Sequence, residues 1–184
     1  MALQENFAYQ TVKKLRKENY EFADPEIIAT TGWTTEELSE GIRLRNLSGT
    51  YDLTSLLIGV NDQYRGRKVE DFVKGFESLL STAIQYAGGK NDRVFVLSIP
   101  DWGVTPFANG RDRKKVGEEI DAFNRACQQE ANKKDVLYID ITSEQRVDGM
   151  KEDFVVGDGL HPSPKEYARW ADKLAKAVKQ AIVR

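Results

Sequence analysis

The sequence predicts an α/β protein with a parallel sheet and helices on both faces. Two observations lead there. Short apolar runs of β-type alternate along the whole chain with segments of helical periodicity, as strand–helix–strand units require. The polar, glycine-containing motifs all fall just after the apolar runs, at the carboxyl ends of the strands, where open α/β sheets bind ligands.

The elements follow in order. "FAYQTVKKLRKEN" places Phe7, Val12 and Leu15 on one face of a basic helix. "PEIIATTG" is a short run ending at Gly32 and reads as a strand over 26–31. "TTEEL" then starts a helix, with Thr34 as N-cap and Glu37 completing a capping box. "YDLTSLLIGV" (51–60) is apolar on both parities and predicts a strand buried on both faces. The next helix carries Val69, Phe72, Val73, Phe76, Leu80, Ala83 and Ile84 on one stripe and stops at Gly88–Gly89. "RVFVLSIP" (93–100) is a strand ended by Pro100. A long helix over 112–132 presents Val116, Ile120, Phe123 and Cys127 on one face, and "VLYIDIT" (136–142) is the last strand. The closing helix has Ser163 as N-cap, Pro164 at its first position and Glu166 as a capping-box partner.

Length suits a single domain over 1–184, with no repeat, linker or low-complexity segment. Hydrophobic residues make up 40 % and the net charge is −2, so bulk charge gives no case for nucleic acid or a membrane surface as partner. No apolar run approaches the roughly 20 residues of a membrane span. The N-terminus lacks the apolar stretch of a signal peptide, so the chain as written reads as cytoplasmic. Cys127, the only cysteine, reads as a core filler, and one His with one Cys leaves a zinc site short of its usual ligands.

Three motifs carry chemistry. In "DGLHPS", Asp158 stands three residues before His161, the only histidine, where a carboxylate can accept from an imidazole N–H and fix its tautomer. Taken alone, the pair also fits a helix entrance. In "GVNDQYRG", Asn61 can aim an amide at a developing oxyanion, and Gly59 permits close approach of substrate; a strand-to-loop turn uses the same residue types. In "TTGWTT", Gly32 offers an unobstructed backbone N–H, or serves as a turn glycine. Trp33, Tyr64, Trp102 and Phe107 follow strands and are candidates to line an apolar pocket, or to pack.

In this order and combination the motifs resemble those of the SGNH hydrolases, the GDSL-like lipase/esterase family, in its lipase/acylhydrolase subgroup. The family pattern has a Gly-Asp-Ser block, a block-two glycine, Gly-x-Asn-Asp and Asp-x-x-His-Pro; "TGWTT", "GVNDQYRG" and "DGLHPS" match the last three. The resemblance implies a flavodoxin-like three-layer α/β/α sandwich. It implies hydrolysis of a small-molecule acyl ester through an acyl-enzyme, with no metal or organic cofactor. It makes His161 the general base, Asp158 its orienting partner, and Asn61 with Gly32 the oxyanion donors.

The Gly-Asp-Ser block is absent. Serines stand at 39, 48, 55, 78, 81, 98, 143 and 163. Ser39 and Ser78 fall in predicted helices, Ser55 in a strand expected to be buried, and Ser163 at an N-cap; Ser98 lies near a strand end and Ser143 opens the long loop, and neither has the family's context. In the family the missing block ends a first, central strand, so an N-terminally truncated start is expected, with weak or no activity for this chain and a secreted or periplasmic destination left open. The alternative is a non-catalytic descendant that binds acylated ligands or a protein partner. A vacant central position would leave strands 26–31 and 51–60 either pairing directly or completed by a second copy of the chain, and would lower stability. The four site residues are expected to converge at one end of the sheet.

Overall fold

The structure is a computed structural model that describes residues 3–182. Its main elements are α1 (Phe7–Lys17), α2 (Thr35–Arg45), β1 (Thr54–Leu56), α3 (Val60–Tyr64), α4 (Val69–Tyr86), β2 (Val94–Leu97), α5 (Arg113–Lys133), β3 (Leu137–Ile139), α6 (Thr142–Asp148) and α7 (Pro164–Ile182). Contacts divide the chain into two compact units. One takes in Ile27–Pro100 and Glu118–Asp140; the other takes in the residues up to Glu26, Asp101–Gly117 and the chain from Ile141 onward.

The first unit holds a parallel sheet in the order β1-β2-β3. The central strand is β2, and all four of its residues are buried, which is what apolar side chains on both parities require. Beyond it, Ser98 N–H still donates to Ile139 O at 2.9 Å. Asn124 then holds the chain as it leaves the sheet: its Oδ1 accepts from Ile99 N–H at 2.7 Å and its Nδ2 donates to Ile99 O at 3.0 Å. Helix α4 lies against β1, where Thr54 Oγ1 donates to Ala83 O. Phe72 of α4 and Phe123 of α5 stack with centroids 4.7 Å apart, and Phe76, Leu80, Ile120 and Cys127 are buried as their periodicity predicts. Each such side chain contributes about 1.5–3 kcal/mol of burial. Burial also pushes the Cys127 thiol far up, so it stays a protonated core residue.

Two strand expectations are corrected. Residues 26–31 form no strand: the chain from Asn19 to Thr30 has no ladder, although Ile27 and Ile28 are half-buried. The apolar pattern is present, but a strand exists only where a neighbour supplies hydrogen bonds. The expected direct pairing with 51–60 is likewise not formed. Within 51–60 only Thr54–Leu56 is ladder, paired with β2 on one side, so this segment is an edge strand and not a doubly covered one. Ser55 is exposed, contrary to its expected burial.

In the second unit α1 packs along α7. Phe7 meets Trp170 at 6.0 Å, Gln10 Nε2 donates to Pro164 O, and Lys14–Asp172 and Lys179–Glu18 pairs line the seam. Ser163 caps α7 through Oγ accepting from Glu166 N–H, but the expected capping box does not close. Glu166 is turned inward instead, where it accepts from the Trp170 indole at 2.8 Å and from Arg169. An indole N–H buried in an aromatic cluster needs an acceptor, and Glu166, one turn away, supplies it.

Gly59, the N-cap of α3, has φ +124°, and a Cβ there would stand 2.7 Å from Ile99 and 2.8 Å from Phe72. The requirement visible at this position is close packing of the turn on the core. Gly59→Ala is expected to lower unfolding free energy by about 2–4 kcal/mol in urea titration. Gly49→Ala, at φ +86° in open space, should cost about 1 kcal/mol.

Candidate active site

In the sheet unit, Gly32 and Asn61 are brought together by two turns. Trp33 N–H donates to Thr30 O, closing a turn with Gly32 at φ +91°, a conformation that favours glycine. Nothing stands within 4 Å of where a Gly32 Cβ would be. Asn61 Nδ2 donates to Trp33 O at 3.0 Å, and Arg65 Nη2 donates to Gly32 O at 2.6 Å. One of the two Asn61 amide hydrogens is thus spent on orientation, and the second remains to donate.

Both turns hang on Asp62, a residue the motif reading passed over. Its carboxylate is fully buried and accepts from Thr35 N–H at 3.0 Å and Thr35 Oγ1 at 2.8 Å, with Arg67 Nη1 at 3.5 Å. This caps the start of α2 from across the turn, while Thr34 and Glu37 close the predicted capping box. Gly75 of α4 admits the Thr35 side chain: a Cβ there would lie 2.8 Å from Oγ1. The available signal was the position of Asp62 beside Asn61 after an apolar run, where a carboxylate must be either solvated or fully paired. Around the start of α2, Thr34, Glu36, Glu37, Arg65, Gly66 and Arg67 line a cleft of about 320 Å³ whose arginines are paired with carboxylates.

Of the aromatic candidates here, Trp33 lies with its ring on Gly41 of α2 and is a packing residue on that side. Tyr64 is exposed.

In the other unit, His161 and Asp158 form the predicted pair. Nδ1 and Oδ2 are 2.7 Å apart, and Oδ1 accepts from Leu160 N–H at 2.8 Å and His161 N–H at 2.9 Å. The loop closes through Val156 N–H to His161 O, and Val155 bridges Pro162. A carboxylate only accepts, so the bond places a proton on Nδ1 and leaves Nε2 as the atom that takes one up. Desolvation pushes the Asp158 carboxyl up, but hydrogen bonds from His161 and Leu160 outweigh it and hold the group below its ordinary value. Phe107 N–H donates to Gly159 O at 3.0 Å, so the turns at 102–108 brace this loop. Trp102 is buried within those turns, with its ring edge-on to Phe107. They are fixed in turn by buried Asp101, which accepts from Gly103 N–H and from Arg146 Nε at 2.9 Å.

None of the serines stands in a nucleophile motif. Ser98 is buried near Asp140, and Ser163 is occupied as the cap of α7. Ser143 is exposed in the first turn of α6, not in an open loop as expected.

The model of the GDSL-like lipase/acylhydrolase family matches residues 4–169. The chain belongs to this family. Solved structures agree on the fold. TesA superposes with a TM-score of 0.74 at 17 % identity, covering 98 % of this chain and 91 % of its own. The acetyl xylan esterase AlAXEase gives 0.71 at 17 % identity, covering 95 % and 91 %. A lipase/acylhydrolase from Enterococcus faecalis gives 0.68 at 19 % identity, covering 95 % and 85 %. No match was found among curated proteins. The chain thus has the α/β fold of GDSL-type hydrolases, and no helix among its described residues is long and apolar enough to cross a membrane.

Two expectations follow from these geometries. Asp62→Ala strands Thr35 and Arg67 and should cost about 3–5 kcal/mol, with amide exchange at Thr35 accelerating most. Asp158, depressed in the folded state, stabilises the loop above its unfolded value, and that contribution is lost as pH falls through the folded value. The Leu160 and His161 amide resonances should therefore titrate with a midpoint below ~3.9; a midpoint at or above that value contradicts the hydrogen-bond assignment.

Proposed function

We propose that this GDSL-family protein acts as a carboxylic-ester hydrolase on small acyl esters through a serine acyl-enzyme. His161 serves as general base and acid, Asp158 holds its tautomer, and the Asn61 amide with the Gly32 N–H receives the oxyanion. The observation that carries the reading is the 2.7 Å Asp158–His161 pair on a loop closed by its own backbone bonds. The Asn61 amide, oriented by Trp33 O with one hydrogen left to donate, supports the second role. No metal or organic cofactor enters this chemistry.

The reading requires a serine in Gly-Asp-Ser context, and none of the eight serines has it. The alternative is a non-catalytic member that binds acylated ligands. Hydrolysis of p-nitrophenyl acetate separates the two. The chain alone should stay near background. The same chain fused at its N-terminus to a strand ending in Gly-Asp-Ser should gain at least about 10²-fold. In that fusion His161→Ala should lose about 10²–10⁴-fold and Asn61→Ala on the order of 10²-fold in kcat. A fusion that stays folded but gains nothing supports the binding reading. Turnover by the unfused chain that Ser143→Ala abolishes would place the nucleophile at Ser143.

A further inference from the structure

The Asp158–His161 pair stands at the tip of a short hairpin with arms 154–156 and 161–163. Ser163 N–H donates to Phe154 O at 3.0 Å, Val155 bridges Pro162, and Val156 N–H donates to His161 O at 2.8 Å. At the base, Ser163 Oγ donates to Asp153 O at 2.6 Å. At the tip, Gly159 N–H donates back to Val156 O, and Asp158 Oδ1 takes two backbone N–H groups. A segment that satisfies its polar groups internally owes its placement to contacts made outside it.

Contacts at both ends supply that placement. At the tip, Phe107 N–H donates to Gly159 O, and a Cβ on Gly159 would stand 3.2 Å from Pro106. At the base, the Phe154 ring has two cations over it, Lys165 Nζ at 4.6 Å and Arg169 Cζ at 4.7 Å from the centroid. The two are not equivalent. The Lys165 side chain is 56 % exposed and its ammonium pairs with Asp153, next to Phe154. The Arg169 side chain is only 25 % exposed, and cation–π attraction grows as water is removed. A guanidinium can also lie on a ring while donating from its edge, which an ammonium cannot do. Arg169 Nη1 donates to Asp148 Oδ2 at 3.1 Å and Glu166 Oε2 at 3.2 Å, and Nη2 to Glu144 O at 3.4 Å. Glu144 and Asp148 belong to α6, and Glu166 to α7. One side chain therefore joins two helices to the base of the hairpin.

We propose that Arg169 is a positioning residue for His161, a role that rests on the hydrolase reading. It acts through the Phe154 ring and fixes where the hairpin stands, while the tip fixes the tautomer by itself. Losing Arg169 moves the base without unmaking it: the Asp158–His161 bond persists, but on a hairpin free to shift as a body.

Amide exchange and ring 15N shifts, followed by NMR in the chain as it stands, test this. In Arg169→Ala the Phe107 amide, which is held by Gly159 O, should exchange at least about tenfold faster. The Val156 amide inside the hairpin and the Leu174 amide of α7 should stay within about twofold. His161 is the only histidine, so its ring signals are unambiguous, and they should keep the Nδ1-protonated pattern. Phe154→Leu should reproduce the Phe107 effect. The double variant should be no worse than the worse single one, as expected of one shared contact. Phe154→Leu carries the test if Arg169→Ala fails to fold, because Asp148 and Glu166 keep their partner there. In the Gly-Asp-Ser fusion, Arg169→Ala should lower kcat at least about tenfold with KM within twofold, since a misplaced base slows the chemistry and leaves binding alone. An inactive parent fusion would sink the hydrolase reading, and the exchange data would still decide the placement of the hairpin. The proposal is overturned if Phe107 exchange is unchanged in a folded variant, or if the two substitutions add independently. It is also overturned if Val156 and Leu174 accelerate as much as Phe107, which marks a merely stabilising residue, or if kcat holds in an active fusion.

Discussion

The buried carboxylate of Asp62 is the constraint on which the sheet unit's candidate chemistry depends. An ion with no solvent exposure is tolerable only when its oxygens are filled, and here Thr35 and Arg67 supply the partners. Filling them fixes three things at once. The start of α2 is capped, the turn holding Gly32 is tied to the turn holding Asn61, and Thr35 is pressed onto α4 at a place where only glycine leaves room. Asn61 is adjacent in sequence, so its amide is aimed by the same anchor. An oxyanion donor acts through preorganisation, and a buried carboxylate whose oxygens are filled is a rigid way to obtain it.

The helices were legible because their signals are local. The Thr34–Glu37 box, the Gly88–Gly89 stop and the Phe72–Phe76–Leu80 stripe each depend on residues within a few positions of one another, and the elements end close to where those signals stand. The Asp158–His161 pair was legible for the same reason: three residues and one turn contain the whole geometry. Asp62 and Glu166 were not. Their roles are set by Thr35, 27 residues away, and by an indole that needs an acceptor more than the helix end needs a second cap.

Strands expose the limit of periodicity more sharply. Residues 26–31 and 51–60 have the apolar and β-branched composition of strands, yet the first forms no ladder and the second forms three residues of one. A helix satisfies its own backbone, whereas a strand borrows its hydrogen bonds from neighbours, so composition specifies only a capacity to pair. β2 realises that capacity because β1 and β3 flank it, and its four buried residues follow. β1 has one strand partner in the sheet, and its middle residue, Ser55, is exposed between half-buried Thr54 and buried Leu56.

The half-exposed state of the Asp158–His161 pair bears on how it can work. With about half of each side chain open to solvent, at 47 % and 49 %, the attraction between carboxylate and imidazolium is screened and modest in free energy. Direction is what the geometry supplies instead. Oδ1 is held by two backbone N–H groups, so the carboxylate cannot rotate freely, and Oδ2 is left for Nδ1. The bracing bond from Phe107 N–H to Gly159 O restrains the loop from outside. In its proposed role as base, His161 depends on a fixed tautomer more than on a strong ion pair, so Asp158→Asn removes the stronger acceptor while the neighbouring turns stay in place. The loss falls on the orientation of His161 before it falls on the fold.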